Sequence, residues 1–368
     1  MAKKRNTKSQ KPARETAATV RMVEGLVVRN NGNTYGVLPL GQRPNAATSL
    51  TIALGETEIE ARVKGKFRLK GIRTTNPVAV GDRVEVAVNS DGTAYITAIR
   101  DRSNYIIRRA SNLSKEASIL AANIDQACLV VTLRHPSTST TFIDRFLATC
   151  EAYRVPAIIV INKTDLLELQ SSNPDPADPS EDDRFEAEDT DMDLLDAFSY
   201  LYESIGYKVV KISAATGEGV PELEAQLKGK ITLLAGNSGV GKSTLINRLI
   251  PGLDLRTGEI SQVHDTGMHT TTFSEMYPLP QGGWIIDTPG VRGFGTIEFD
   301  KNEVGHFFPE IFRASKHCRY GDCTHTHEPQ CAVIEAVEKH HISQSRYNSY
   351  LSILEDADPD TGKYRKPY

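Results

Sequence analysis

Residues Gly236, Asn237, Ser238, Gly239, Val240, Gly241, Lys242 and Ser243 fit the pattern G-x-x-x-x-G-K-[ST], with Thr244 following. Glycines at that spacing let backbone N–H groups converge on one concavity, which suits the oxygens of a phosphate chain. Lys242 would reach the β- and γ-phosphates, and the Ser243 hydroxyl would ligate Mg²⁺. The apolar run 231–235 reads as a strand and 243–249 as a helix, whose N-terminus adds partial positive charge. Asp287-Thr288-Pro289-Gly290 ends a second apolar run, 284–286. There Asp287 is placed to hold Mg²⁺ and the Gly290 N–H to meet a γ-phosphate. His269-Thr270-Thr271-Thr272 lies between the two motifs. One threonine hydroxyl would complete the Mg²⁺ shell; spacing does not choose among the three, and Thr271 is the favoured candidate.

Asn162-Lys163-Thr164-Asp165 follows the run 156–161. Guanine presents two adjacent N–H donors, N1 and N2, which one carboxylate accepts together. Adenine has no such pair and would leave Asp165 unsatisfied, and sites built on such bonds reject the wrong partner by ~10⁴ or more. That argues against an ATP-dependent kinase. Asn162 would brace neighbouring loops and the Lys163 stem would cover the base plane. Ser213-Ala214 ends the run 207–212, where the Ala214 N–H would donate to guanine O6.

Cys318-x4-Cys323-x-His325-x5-Cys331 offers three thiolates and an imidazole, a four-ligand set suited to a structural Zn²⁺. His327 and His317 are rival nitrogen ligands. Cys128 and Cys150 stand alone in apolar stretches. Five cysteines so placed fit a metal site rather than a disulfide framework.

The elements that position these groups follow from pattern. The chain has 368 residues, 39% hydrophobic and 24% charged, which suggests two or three domains of ordinary soluble composition. No apolar run approaches the ~18 residues of a membrane helix, and no apolar core follows the basic N-terminus as in a secretory signal. A cytoplasmic protein with no membrane partner is the expectation. The net charge of −4 hides an asymmetry: residues 1–104 carry 18 Lys/Arg against 9 Asp/Glu, whereas 181–193 hold eight acids and one Arg. A basic end is compatible with a nucleic-acid partner.

Residues 1–19 read as a disordered basic tail. Residues 20–104 read as short strands between Gly/Asn/Asp turns, an OB-like β-barrel. Within it Arg62, Lys64, Lys66, Arg68 and Lys70 alternate with Val63, Gly65, Phe67 and Leu69. Alternation places all five cations on one strand face, a candidate surface for RNA phosphates. Residues 105–300 read as strands alternating with helices around a mostly parallel sheet, interrupted by an acidic insertion at 168–193. Residues 301–368 read as a helical zinc-binding domain, with helical apolar spacing over 332–354.

The order of the motifs is permuted. The base-reading loops (162–165, 213–214) precede the phosphate loop (236–244), the threonines (270–272) and the Asp287 motif (287–290). Ordinary P-loop GTPases begin with the phosphate loop, so this is a circularly permuted G domain, the helix-like stretch 220–227 carrying the join. The segment after Gly290 then leads into the cysteine cluster 28 positions on.

That order, with an N-terminal barrel and a C-terminal cysteine cluster, resembles the ribosome small-subunit-dependent GTPase A family (RsgA, also called YjeQ). The match spans about 20 to 355. It rests on Asn-Lys-Thr-Asp at 162–165, the phosphate loop at 236–244, Gly267-Met268-His269-Thr270-Thr271-Thr272, the motif at 287–290 and the cysteine cluster. The chain departs from the family at 168–193 and 41–55. The resemblance implies a GTPase that binds the 30S subunit and its 16S rRNA during late maturation and is released on GTP hydrolysis; a monomer is the expectation. It places guanine contacts on Asn162, Lys163 and Asp165, phosphate contacts on Gly236 to Thr244, and the zinc imidazole on His325. Hydrolysis needs a water in line with the γ-phosphate. Val291 stands where many GTPases carry glutamine, so His269 is the candidate to take over, with Lys242 and Thr271 assisting. The competing reading is a constitutive RNA-binding protein with a structural, slowly turning over GTP site.

Overall fold

A computed structural model describes residues 20–40, 58–63, 77–109, 117–167, 191–255, 274–287 and 300–357. The first strands are β1 (Arg21–Asn30), β2 (Tyr35–Pro39), β3 (Ile59–Val63), β4 (Arg83–Val88) and β5 (Ala94–Ile99). They hydrogen-bond in the order β1-β2-β3-β5-β4, and β4 returns to β1, closing an OB-like barrel. The β1–β2 turn is set by Asn30, whose side-chain oxygen accepts from the Gly32 N–H at 2.9 Å. Strand alternation sends Val27, Val37, Val84, Val86 and Ile96 inward. Arg62 is exposed on β3; Lys64, Lys66, Arg68 and Lys70 lie outside the described residues.

A hairpin, β6 (Tyr105–Arg109) with β7 (Ala117–Ala122), leads into the second domain. Its elements run β8 (Gln126–Val131), α1 (Thr140–Ala152), β9 (Ala157–Ile161), α2 (Asp191–Ile205), β10 (Lys208–Lys211), α3 (Val220–Leu227), β11 (Ile231–Ala235), α4 (Lys242–Leu249), β12 (Glu275–Pro278) and β13 (Trp284–Asp287). The sheet order is β10-β9-β8-β11-β13-β12, parallel except for β12. Both faces are covered, which is why these strands are continuous apolar runs. Along β8, Ala127, Leu129 and Val131 enter one core with α1 and α2, while Cys128 and Val130 enter the other with α3 and α4. Helix α2 begins at Asp191, so the last three residues of the expected acidic insertion are helical; the rest of it lies outside the described residues.

The barrel joins this sheet edge to edge. β1 pairs antiparallel with β12 at Arg29 and Glu275, and Leu26 and Val28 on the outer face of β1 enter the α1–α2 core.

Beyond residue 300 the chain forms a 3₁₀ turn (Val304–Phe307), α5 (Pro309–Ser315), α6 (Ala332–Glu338) and α7 (Gln344–Ala357). The helical spacing over 332–354 is therefore two helices. The break falls at His340, which takes a left-handed φ of 58°; that conformation cannot propagate a right-handed helix. This lobe docks on the second domain through buried charge. Arg346 of α7 donates from Nε and Nη2 to both oxygens of Glu310 on α5, at 2.7 and 3.1 Å, and from Nη1 to Asp144 Oδ1 of α1 at 2.8 Å. The Tyr202 hydroxyl donates to the same Asp144 oxygen at 2.8 Å. All four side chains are buried, and the guanidinium lies 4.6 Å from the Phe308 ring centroid.

Candidate nucleotide site and metal cluster

The candidate nucleotide residues gather at the carboxyl ends of the parallel strands, the edge where open α/β sheets place ligands. β9 ends at Asn162 to Asp165, β10 at Ser213 and Ala214, β11 at the glycine-rich loop, and β13 at Asp287.

Asn162 ties three of these loops together. Its Nδ2 donates to Val240 O at 2.8 Å, and its Oδ1 accepts from the Ala214 N–H at 2.9 Å. Its own N–H donates to Val131 O at 2.8 Å. The side chain is buried, so these partners replace water rather than add to it. The Ala214 N–H, the expected donor to guanine O6, thus has Asn162 Oδ1 as its protein partner, and an N–H can be shared between two acceptors.

The glycine positions of the phosphate loop have physical causes. Gly241 has a φ of 92°, and a Cβ there would collide with Nδ2 of Asn162. Gly236 has a φ of 150°, and its Cβ would collide with Val130 O. The loop can therefore lie against its neighbours only with glycine at these points. Lys242, at the first turn of α4, donates from Nζ to Gly236 O and Asn237 O at 2.6 and 2.8 Å. An ammonium has three donors, so one remains beyond the two the loop takes. Burial lowers the Lys242 pKa, and the charge of Asp287 acts in the opposite direction.

Asp165 presents Oδ1 as a buried acceptor with no hydrogen-bond partner among the described residues. Lys163, at a φ of 65°, donates from Nζ to His135 O at 2.6 Å, which pins its stem. Arg248, which sequence reasoning missed, donates from α4 to Ala214 O at 2.6 Å and so fastens the phosphate-loop helix to the 213–214 loop. Nothing in a single sequence separates this arginine from an exposed helical cation. His269, Thr271 and Gly290 lie outside the described residues.

In the C-terminal lobe Cys318, Cys323, His325 and Cys331 bring one ligand atom each within 4.8 Å of the others. The sulfurs of Cys318 and Cys323 lie 3.9 and 3.7 Å from that of Cys331. His325 Nδ1 lies 3.6 and 3.5 Å from the sulfurs of Cys318 and Cys331. Four ligands ~2.0–2.3 Å from one tetrahedral centre would stand ~3.5–3.8 Å apart, so the set fits a metal of zinc's size and preference. His317 and His327 are exposed and outside the cluster. Burial keeps His325 toward its neutral, ligating form, and burial together with the hydrogen bond to the Cys331 sulfur pushes the Cys323 thiol up to about 12.

The loop is held from outside. Glu328 accepts from the Thr324 N–H and hydroxyl and from the Thr326 N–H. Burial would raise its pKa, but these bonds outweigh it and hold the carboxyl well below the usual range. Tyr347 and Tyr350 of α7 donate to His325 O and Thr324 O at 2.6 and 2.7 Å. The sequence offers no spacing signal for these supports.

Comparison with known proteins agrees over nearly the whole chain. The family model for the RsgA GTPase matches residues 99–297, and that for the RsgA N-terminal domain matches 51–96. A small ribosomal subunit biogenesis GTPase RsgA of Bacteroides fragilis (strain YCH46) is 54% identical over 346 residues, covering 94% of this chain and 100% of the relative. Its namesake in Porphyromonas gingivalis (strain W83) is 53% identical over 351 residues, with the same coverage. Among solved structures, YjeQ from Thermotoga maritima superposes with a TM-score of 0.67 at 32% identity, covering 94% of this chain and 100% of that one. YloQ, described as a circularly permuted GTPase, gives 0.63 at 27% identity, covering 96% and 100%. With its motifs in permuted order and its barrel and metal cluster in place, the chain belongs to the RsgA GTPase family.

Proposed function

We propose that this chain hydrolyses GTP to GDP and phosphate as a late maturation factor of the small (30S) ribosomal subunit. Its relatives carry the name small ribosomal subunit biogenesis GTPase. The observation that carries the nucleotide reading is the Asn162 bridge, which holds the base-reading and phosphate-binding loops in one frame, together with the buried Oδ1 of Asp165, which has no partner among the described residues.

In this reading Asp165 accepts both N–H donors of guanine and the Lys163 stem covers the ring. Ser213 and Ala214 form the third loop, with the Ala214 N–H donating to guanine O6. Residues 236–244 wrap the phosphates, with the remaining Lys242 donor on the β/γ bridge. Ser243, Asp287 and Thr271 would hold Mg²⁺, which when bound neutralises charge developing on the phosphate oxygens. Gly290 meets the γ-phosphate and His269 orients the attacking water. The four-ligand cluster holds one structural Zn²⁺, since it reserves no position for water. The barrel cations Arg62, Lys64, Lys66, Arg68 and Lys70 contact 16S rRNA, and hydrolysis releases the protein from the subunit. The working units are a basic tail at 1–19, the barrel at 20–104, the G domain at 105–300 and the zinc lobe at 301–368. The protein acts in the cytoplasm as a monomer. Among the described residues no helix is long and apolar enough to cross a membrane.

Nucleotide competition tests the base assignment. Asp165→Asn exchanges one of two acceptor oxygens for a donor, so preference for GTP over ATP should fall at least about tenfold, the worth of one charged hydrogen bond. An unchanged preference would overturn the assignment.

A further inference from the structure

The junction between the barrel and the G domain is a row of side chains that crosses three strands. Arg29 of β1 is the Cα partner of Glu275 on β12, and Glu275 is the Cα partner of Asp287 on β13. Directly paired residues in antiparallel strands project from the same face of the sheet. A barrel cation therefore stands in register with the aspartate at the phosphate edge, one carboxylate between them.

The contacts along this row are specific. Arg29 Nε donates to Glu275 Oε1 at 3.1 Å, and its guanidinium lies 3.5 Å from Glu58, the residue before β3. The Tyr277 hydroxyl donates to the other Glu275 oxygen at 3.1 Å. The Asn30 N–H donates to Ser274 O at 3.4 Å. Two further features make the row more than adhesion. First, β1 changes register against β2 between Val27 and Arg29, and beyond this bulge Arg29 is paired both with Gly36 of β2 and with Glu275 of β12. Second, Glu275 stands three positions after Thr272 in the sequence. The barrel has other holds on the G domain, in the buried Leu26 and Val28 and in the bond from Asn123 Nδ2 to Gly81 O at 2.9 Å. The apolar holds pack with Met276, Trp284 and Ile286, which alternate with the row on the opposite face of the same strands.

We propose that Arg29 and Glu275 are positioning residues for hydrolysis: through them the placement of the barrel sets the position of β12 and of Asp287. A surface that grips the barrel would then be felt at the phosphate edge without touching it. Without Arg29, Glu275 and Asp287 are like charges facing each other across paired strands, an unfavourable arrangement that lets β12 shift. The inference rests on the GTPase reading of the site.

The test uses the full-length protein with Arg29→Ala, Arg29→Lys, Glu275→Gln and the Arg29→Ala/Glu275→Gln double variant. Arg100→Ala is the control, because Arg100 pairs with Glu24 and Glu85 on the barrel away from this row. GTP turnover is measured with and without purified small ribosomal subunits, together with thermal unfolding and amide exchange at Met276 and Tyr277. The side chains of Arg29 and Glu275 are 44% and 37% exposed, so the midpoint of unfolding should not move appreciably. The expected result is a roughly fivefold fall in kcat at unchanged KM for Arg29→Ala, with matching loss of exchange protection, the ~1 kcal/mol upper range of such a pair. Arg29→Lys should recover part of it, and the double variant should be no worse than either single one. Variants that keep the wild-type kcat and exchange while the wild type hydrolyses GTP would overturn this inference and leave the GTPase reading standing. A wild type without GTP turnover would overturn both.

Discussion

Replacing Arg346 by methionine removes the cation between two buried carboxylates that belong to different lobes. Asp144 sits on α1 of the G domain and Glu310 on α5 of the zinc lobe, and Arg346 makes three hydrogen bonds between them. Exposed ion pairs contribute at most ~1 kcal/mol, but breaking a buried pair costs ~3–5 kcal/mol because the remaining charge is stranded. Taking ~4 kcal/mol, the undocking equilibrium of the zinc lobe should rise by nearly 10³. The readout is amide exchange in α7 alongside fluorescence of Trp284, the single tryptophan, which lies in the G-domain sheet. Exchange in α7 should accelerate while the Trp284 signal stays native. The cost should depend on pH in a definite direction. Burial raises the Asp144 pKa, and Arg346 opposes that rise. Without Arg346 the folded-state pKa climbs further above the unfolded one. A carboxyl raised in this way is tolerated while protonated and costs stability as pH rises through its folded pKa. The deficit of the variant should therefore be largest at neutral and alkaline pH and shrink in acid. The triple variant Arg346→Met, Asp144→Leu, Glu310→Leu removes all three charges and should regain most of the loss. A loss below ~1 kcal/mol for Arg346→Met, or one independent of pH, would refute the claim that this triad holds the lobes together.

Other perturbations follow from the same geometry. Asn162→Ala leaves Val240 O and the Ala214 N–H unpaired in a buried setting, at ~1–3 kcal/mol each, so GDP affinity by calorimetry should fall at least tenfold. Gly241→Ala places a Cβ against Asn162 at a φ of 92°, and should abolish nucleotide binding while circular dichroism shows the fold retained. Native mass spectrometry should find one zinc per chain, and Cys331→Ala should lose it and loosen 318–331, seen as rapid proteolysis there.

Much of the architecture was legible because its signals are local. Apolar runs such as 231–235 and 156–161 announce buried strands, and each ends in a motif whose residue types have narrow chemical uses. The glycines of the phosphate loop were readable as a pattern, but their cause was not: Gly241 is glycine because of Asn162, 79 positions earlier in the sequence. The same distance hides Arg248 on Ala214 and Arg346 on Asp144, since contacts between remote segments leave no trace in spacing. The bond from the Ala214 N–H to the Asn162 side chain is hidden in the same way, and only the folded arrangement shows it. The break between α6 and α7 escaped because both helices keep apolar spacing, and the interrupting residue, His340, is no standard helix breaker.

The most direct measurement of the central claim is the rate of GTP hydrolysis by the purified protein, alone and with 30S subunits, 70S ribosomes or free rRNA, at two salt concentrations. The account predicts slow turnover alone and strong stimulation by 30S subunits, weakening as salt screens the contacts to phosphate. A rate unchanged by every ribosomal species would contradict it, leaving a guanine-nucleotide enzyme whose partner is not the small subunit.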